Sequence, residues 1–497
     1  MSLIQVNNLT FAYEGSYETI FDHVSFRFDT SWKLGFTGRN GRGKTTFLRL
    51  LTGKLDAHGS ITSSVDFSYF PYSAPEGNVS ALEAAMQMRP DLELWRVQRE
   101  MAKLQLDEEV LMRPYAVLSS GERTKLQLAV LFSGENNFLL IDEPTNHLDS
   151  VGRALVSRYL NGKRGFLLVS HDRAFLDGCV DHMLSINRAD IQVCKGNFST
   201  WWENKQRHDA FEGAENEKLM REITRLQDTA REKNSWAATA EKRKIGADAP
   251  SDKPKNYRSF QGAKAERTMA RVKAIEKRRD AAIAEKQQLL KNVERSDALK
   301  VSQLSFPAER LAELRGVQLD FGAGAVCKPV NLSIRAGARI ALQGPNGCGK
   351  SSLLKLLCGQ EIPHIGELWK GNGLKISHVS QNVSWLCGSV AEFLRGSGVD
   401  ESLFFTILVK LGVPKAQLER ELSGLSTGQK KKVLIARSLC EQAHMHVWDE
   451  PMNYIDVIAR MQIEQMLLEF RPTLIFAEHD RTFCEHIATQ KVTMEAL

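Results

Sequence analysis

At 497 residues, with 42% hydrophobic and 25% charged residues, the chain is long enough for about three ordinary folded domains. No stretch approaches the ~18–20 apolar residues that cross a bilayer, and the start Met1-Ser2-Leu3-Ile4-Gln5-Val6 lacks the basic and apolar regions of a signal peptide, so membrane-spanning and secreted classes are excluded as expectations. Eight singly scattered cysteines, without a Cys-x-x-Cys pair, argue against a zinc site or a disulfide framework and predict a reducing cytoplasm. The formal charge of +6 is uneven, because residues 205–295 hold 23 Lys/Arg against 15 Asp/Glu.

In chain order, the first marks form a strand–loop–helix unit. The apolar run Leu34-Gly35-Phe36-Thr37 leads into Gly38-Arg39-Asn40-Gly41-Arg42-Gly43-Lys44-Thr45, which fits the Walker A pattern, and the helix-like Thr46-Phe47-Leu48-Arg49-Leu50-Leu51 follows. Glycines let the backbone N–H groups wrap phosphate oxygens, and a helix N-terminus adds positive potential. Lys44 is expected to reach the β- and γ-phosphates, and the Thr45 hydroxyl to ligate Mg²⁺. Tyr13, 25 residues before Gly38, is a candidate for stacking on a base, with a core aromatic as the alternative.

Further along, Leu118-Ser119-Ser120-Gly121-Glu122 opens a helix-like run. Phe138-Leu139-Leu140-Ile141-Asp142-Glu143 reads as a buried strand ending in two acids, with Asp142 placed to hold Mg²⁺ and Glu143 to polarise an attacking water. His171 follows the apolar run Phe166 to Val169 and is expected to orient water and γ-phosphate.

The middle segment changes character. Leu219, Ile223, Leu226, Ala230 and Ala237, then Met269, Val272, Ile275, Ala282 and Leu289, fit two long antiparallel amphipathic helices, broken between them at Gly246, Pro250 and Pro254. Residues 241–279 concentrate the charge, with 13 Lys/Arg against 5 Asp/Glu. Lys242, Arg243, Lys244, Lys253, Lys255, Arg258, Lys264, Arg267 and Arg271 supply cations, and Tyr257 and Phe260 are interleaved. Such a tip suits structured RNA, or it is a solvated charged coiled coil.

Then the first set of marks returns. Phe321 precedes Gly344-Pro345-Asn346-Gly347-Cys348-Gly349-Lys350-Ser351, which runs into Ser352-Leu353-Leu354. Gln381, Ser426-Thr427-Gly428-Gln429, Asp449-Glu450 and His479 follow. Lys44 and Lys350 are 306 apart, Ser119 and Ser426 307, Glu143 and Glu450 307, His171 and His479 308. Four marks in one order at near-constant spacing make a duplicated domain. The fold expected is α/β, with P-loop domains at 1–204 and 299–497 joined by the helical hairpin 205–298.

With the two signatures in hand, the chain is identified as resembling the ATP-binding cassette superfamily, whose Leu-Ser-Gly-Gly-Gln/Glu motif both copies match except at Ser120 and Thr427. The resemblance implies head-to-tail cassettes. Gly38, Asn40, Gly41, Gly43, Lys44, Thr45, Thr46 and Glu143 would share one ATP with Ser426, Gly428 and Gln429. Gly344, Asn346, Gly347, Gly349, Lys350, Ser351, Ser352 and Glu450 would share the other with Ser119, Gly121 and Glu122. It further implies that Gln381 contacts Mg²⁺, with Tyr72 at the corresponding place in the first unit.

Cassette, helical linker, cassette resembles the F subfamily, the translation factors without membrane domains. Asp142-Glu143-Pro144-Thr145-Asn146-His147-Leu148-Asp149 matches that family's first Walker B stretch, and the second copy departs at Met452, Tyr454 and Ile455. That departure, with Tyr69-Phe70-Pro71-Tyr72, resembles the Vga/Lsa-type antibiotic-resistance branch. The resemblance implies a cytoplasmic monomer that pairs its own cassettes and binds no DNA and no membrane. It would act at the E site of the 70S ribosome, with its linker tip near 23S rRNA and the P-site tRNA. A housekeeping factor for stalled ribosomes and the ATPase subunit of a drug exporter are the alternatives.

Overall fold

The computed structural model describes residues 2–14, 19–73, 75–135, 137–146, 148–186, 191–215, 217–218, 220–221, 224, 304–322, 324–413, 415–418, 421–495 and 497. Two compact units divide the chain, Met1–Trp201 with Asp297–Leu497, and Trp202–Ser296. In the latter, the described part is helical over 202–215, with i,i+4 pairs such as Lys205 Nζ–Asp209 Oδ2 at 2.9 Å. The proposed tip residues Lys242, Arg243, Lys244, Lys253, Lys255, Tyr257, Arg258, Phe260, Lys264, Arg267 and Arg271 lie outside the described residues, as does the rest of the predicted helical hairpin beyond residue 224.

The larger unit repeats one architecture. In its first half, strands β1 (Leu3–Ala12), β2 (Thr19–Asp29) and β4 (His58–Thr62) form an antiparallel sheet in the order β2-β1-β4. The second sheet has six strands in the order β5-β6-β7-β3-β8-β9, made by β3 (Lys33–Gly38), β5 (Asp66–Phe70), β6 (Asn137–Asp142), β7 (Phe166–Val169), β8 (His182–Ile186) and β9 (Ile191–Lys195). The second half matches it. There, β10 (Arg310–Leu319), β11 (Val330–Arg335) and β13 (His364–Lys370) form the order β11-β10-β13. Its five-stranded sheet runs β14-β15-β16-β12-β17, from β12 (Arg339–Gln343), β14 (Ile376–Val379), β15 (Met445–Asp449), β16 (Leu474–Ala477) and β17 (Gln490–Thr493).

Central parallel strands lie between helices and lack a solvent face, so they read as unbroken apolar runs; Phe166–Val169 and Leu474–Ala477 are buried at every position. Four helices in each half bear on the chemistry: α1 (Lys44–Leu51), α2 (Ser120–Phe132), α3 (Ser150–Asn161) and α4 (Arg173–Cys179), then α5 (Lys350–Leu357), α6 (Thr427–Cys440), α7 (Val457–Phe470) and α8 (Arg481–Ile487). Apolar groups from α1 and the sheets close the first core, where Phe47 touches Phe36 with ring centroids 5.6 Å apart. In the second, Trp448 is fully buried and its Nε1 donates to Ser438 Oγ at 2.9 Å, which satisfies its one polar atom.

Strand order brings the marks together. Phe36 pairs with Val169, and Val169 with Asp142, so the carboxyl ends of β3, β6 and β7 lie side by side. Loops leaving those ends must share one crevice. Among the described residues, no helix is long and apolar enough to cross a membrane.

Candidate active site

Both phosphate loops depend on backbone that side chains disfavour. Gly43 has φ 89° and a Cβ there would lie 2.4 Å from Ile20 Cγ2; Gly349 has φ 92° and would meet Leu319 Cδ1 at 2.6 Å. Cys348, read as a filler, is fully buried against its loop. Lys44 Nζ donates to the carbonyls of Gly38 at 2.7 Å and Arg39 at 3.2 Å, and Lys350 Nζ to those of Gly344 and Pro345 at 2.9 Å each. Burial holds the Lys44 ammonium below its ordinary range, opposed by Asp456, Glu143 and Asp142.

The hydroxyls and carboxylates expected to hold a metal meet. Thr45 Oγ1 donates to Asp142 Oδ2 at 3.1 Å, and Ser351 Oγ to Asp449 Oδ1 at 3.0 Å. Oxygen donors of this kind suit a hard cation such as Mg²⁺. Gln381 has an exposed side chain, and its carbonyl accepts from Lys431 Nζ at 3.2 Å. At the corresponding place Tyr72 N donates to Gln127 Oε1 at 3.2 Å, and burial lifts the Tyr72 phenol to about 12.

Glu143 and Glu450 both have left-handed backbone, φ 52° and 44°, a strained geometry for non-glycine residues. Glu143 N donates to Val169 O at 2.9 Å and Glu450 N to Ala477 O at 3.0 Å, which ties each acid to the strand carrying its histidine. His171 Nε2 lies 3.2 Å from Glu143 Oε1, and His479 Nε2 lies 3.9 Å from Glu450 Oε1. Both carboxylate oxygens of Glu143 are buried without a hydrogen-bond donor, the His171 approach being out of alignment. Burial and the neighbouring Asp142 raise the Glu143 carboxyl to about 8. Desolvation depresses both histidines, His479 to about 4, so both imidazoles are neutral at pH 7.

Each signature serine caps a helix. Ser119 Oγ accepts from Glu122 N at 3.2 Å while Glu122 Oε2 accepts from Ser119 N at 2.8 Å, and Ser426 and Gln429 make the same box at 3.3 and 2.9 Å. Glu122 and Gln429, expected at nucleotide, therefore spend side-chain acceptors on the helix start.

Across the halves, Asn40 Nδ2 donates to Tyr454 O at 2.8 Å and Asn40 N to Asp456 Oδ2 at 3.3 Å. A Cβ at Gly428 would meet Asn40 Nδ2 at 3.0 Å, so the first phosphate loop abuts the second signature. Asp456 also accepts from Lys432 Nζ at 2.6 Å, with both side chains almost fully buried. Arg173 of the first half forms a buried ion pair with Glu464 of the second. At the other crevice, Arg153 and Asp149 of the first half act electrostatically on His479.

Tyr13 Oη lies 2.9 Å from Thr46 Oγ1, so it stands beside the phosphate-loop helix, and the residue is 42% exposed; Phe321 is 54% exposed. Among the remaining expected loop residues, Gly38 ends β3 and Gly344 follows β12, Gly41 and Gly347 take left-handed φ of 81° and 83°, Asn346 is exposed and Ser352 is half-buried. Sequence reasoning had no role for Tyr69, whose hydroxyl donates to Asp142 Oδ2 at 3.1 Å, nor for Asp456, Lys432 or Lys431. Asp149 and Asp456 were findable, because both stand six residues after the repeated glutamates.

A model described as "ABC transporter" matches residues 21–146 and 327–453. The chain belongs to the ABC transporter family. Its two cassettes bind and hydrolyse ATP. The F-subfamily resemblance extends over almost the whole chain. "Ribosome protection protein VmlR" of Bacillus subtilis (strain 168) is 28% identical over 492 residues, 97% of this chain and 85% of that protein. "ABC transporter F family member 5" of Arabidopsis thaliana is 24% identical over 554 residues, 99% of this chain and 75% of that protein. The crystal structure of an archaeal complex of the ribosomal stalk protein aP1 with the ribosome recycling factor aABCE1 shares the fold, with TM-score 0.64 and 19% identity, over 99% of this chain and 89% of that one.

Proposed function

We propose that this protein is a cytoplasmic ribosome protection factor of the F subfamily, which binds the bacterial 70S ribosome in its ATP state and leaves after hydrolysis. The observation that carries the reading is the first phosphate loop hydrogen-bonded, through Asn40, to the second half beside Gly428. A nucleotide held there is touched from both cassettes, so its binding favours the closed form and its cleavage removes that preference. Similarity to VmlR over nearly the whole chain supports the ribosome as the target.

In this mechanism Lys44 and Lys350 leave their loop carbonyls to bind β- and γ-phosphate oxygens. Ser426 and Gly428, and on the other face Ser119 and Gly121, contribute from the opposite cassette. Thr45 with Asp142, and Ser351 with Asp449 and Gln381, would hold Mg²⁺, which neutralises developing phosphate charge. Glu143 and Glu450 orient the attacking water, and the unsatisfied Glu143 oxygens leave that carboxyl group open to a hydrogen bond with it. Neutral His171 and His479 donate to the γ-phosphate or that water without adding a competing cation.

The domain reading keeps cassettes at 1–204 and 299–497 and a basic hairpin at 205–298. Its tip would stand by 23S rRNA and P-site tRNA from the E site, dislodging lincosamides, pleuromutilins or streptogramin A. The deciding experiment is drug susceptibility of a sensitive bacterium expressing the chain, beside one expressing a version with residues 249–260 replaced by a Gly/Ser turn. Resistance with the full chain and its loss with the shortened tip are expected. Unchanged susceptibility with the full chain, on ribosomes it nonetheless binds, would favour the housekeeping role.

A further inference from the structure

The second ATP site contains two buried charges that the first lacks. Lys431 on α6 is 1% exposed, and its Nζ donates to the carbonyls of Ser380 at 2.7 Å, Gln381 at 3.2 Å and Asp449 at 3.1 Å. Glu478, at the end of β16 and 4% exposed, accepts from three backbone amides: Met452 N at 3.0 Å, His479 N at 2.8 Å and Asp480 N at 3.3 Å. At the matching places the first half has Thr124, whose hydroxyl donates back to Ser120 O of its own helix at 2.9 Å, and Ser170. Ser170 Oγ accepts from Asp172 N at 3.2 Å and meets Thr145 Oγ1 at 3.3 Å. In the second half Met452 replaces Thr145, and the longer Glu478 reaches that loop's backbone instead.

We propose that Lys431 and Glu478 are positioning residues for hydrolysis at the second site, each holding backbone around Glu450 and His479. Lys431 ties the signature helix to the loop carrying Gln381 and to the end of β15 before Glu450. Glu478 ties the loop after Glu450 to the backbone of His479. Between them they fix the three segments from which the second site's water-orienting groups project. Each charge is saturated by backbone groups, and each lies in a field of opposite charges, Asp449, Glu478 and Glu450 around Lys431 and Arg460 and Arg153 around Glu478, in a buried region where an uncompensated ion is strongly disfavoured. Because α6 begins at the signature that abuts Asn40, Lys431 also joins the first nucleotide's contact surface to the second site's machinery. The proposal rests on Glu450 serving the second site.

The test uses the full chain with Glu143→Gln, so that turnover reports the second site. Lys431→Met and Glu478→Gln are each expected to lower kcat about tenfold, with KM and the affinity for a fluorescent ATP analogue changed less than threefold. Lys431→Thr combined with Glu478→Ser recreates the uncharged arrangement of the first site. It is expected to recover more than half of the kcat lost by the worse single variant, and Lys431→Arg to keep most of the parent's rate. Parental kcat in both single variants overturns the proposal, as does a fall in nucleotide affinity equal to the fall in kcat. Should a single variant fail to fold in thermal melts, Lys431→Arg and the double variant decide: loss of kcat in both, with folding intact, sinks the pair. Glu450→Gln on the same background must remove the remaining turnover; if it does not, the site assignment is at fault rather than the positioning.

Discussion

The two ATP sites share their reacting groups and differ in what holds them. Arg153 and Arg460 are near copies, each donating to the aspartate after its histidine at 3.0 Å and to the carbonyl before its own helix, Leu148 O at 3.0 Å and Ile455 O at 2.9 Å. Around this common frame the supports diverge. Asp142 receives the Tyr69 hydroxyl, whereas His378 occupies the same register beside β15 and its Nε2 is buried without a partner. Glu143 has two unsatisfied oxygens, whereas Glu450 accepts from Asn453 Nδ2 at 2.5 Å. Duplication therefore preserves the chemistry of phosphate transfer, while the residues around the reacting groups differ between the halves.

The largest expected effect tests whether both glutamates do the same work. Glu143→Gln with Glu450→Gln should lower phosphate release by about a thousandfold, within the range of a lost general base, and leave the protein on ribosomes in ATP. If one single variant alone abolishes turnover and the other keeps most of it, only one site hydrolyses and the comparison sharpens into a division of labour.

Asp456 and Asp149 are matched helix caps with unequal burdens. Asp456→Ala strands the buried Lys432 ammonium and should destabilise the second half by about 3–5 kcal/mol. Asp149→Ala removes a cap to Gly152 N and should cost about 1 kcal/mol. Urea unfolding of both variants measures the gap; equal losses would show that the Lys432 pair contributes nothing beyond capping.

A similar contrast separates Arg173 from Arg481. Arg173→Met leaves Glu464 buried with His486, at 3.4 Å, as its remaining ion-pair partner among the described residues, and should destabilise the contact between the halves by about 3 kcal/mol. Arg481 pairs with exposed Glu485 on its own helix, so Arg481→Met should leave the unfolding midpoint unmoved. A shift of equal size in both would break the asymmetry.

In the second half, His446 adds a pH dependence of its own. Burial pushes His446 down to about 4, against an ordinary value near 6.5. Between these values the unfolded chain binds the proton and the folded one does not, so stability is full above about pH 6.5 and declines as pH falls towards 4. The expected loss from pH 8 to pH 5 is about 2 kcal/mol, from 1.36 kcal/mol per pKa unit. His446→Gln should flatten that part of the profile in urea titrations; an unchanged slope would place its origin elsewhere.

Much of the fold was legible from the duplicated marks. Walker A requires a strand before it and a helix after it, and β3–α1 and β12–α5 supply both. Apolar runs such as Phe166 to Val169 announced parallel strands because both faces are covered. The supports around the sites were less legible, since Tyr69, Lys431 and Glu478 belong to no repeated motif and each reaches a partner distant in sequence. Lys431, for example, bonds carbonyls 51, 50 and 18 residues away.

The sequence by itself determined that two phosphate loops, two acid pairs and two histidines exist, and in which order, because local backbone chemistry demands those residue types at those spacings. Only the tertiary structure decided that Asn40 meets Tyr454 and Asp456, and that Lys431 and Glu478, the charged counterparts of Thr124 and Ser170, bond backbone on either side of Glu450. Those facts depend on which strand ends lie side by side and which buried polar atoms need a partner there, and neither is a property of any short stretch of chain.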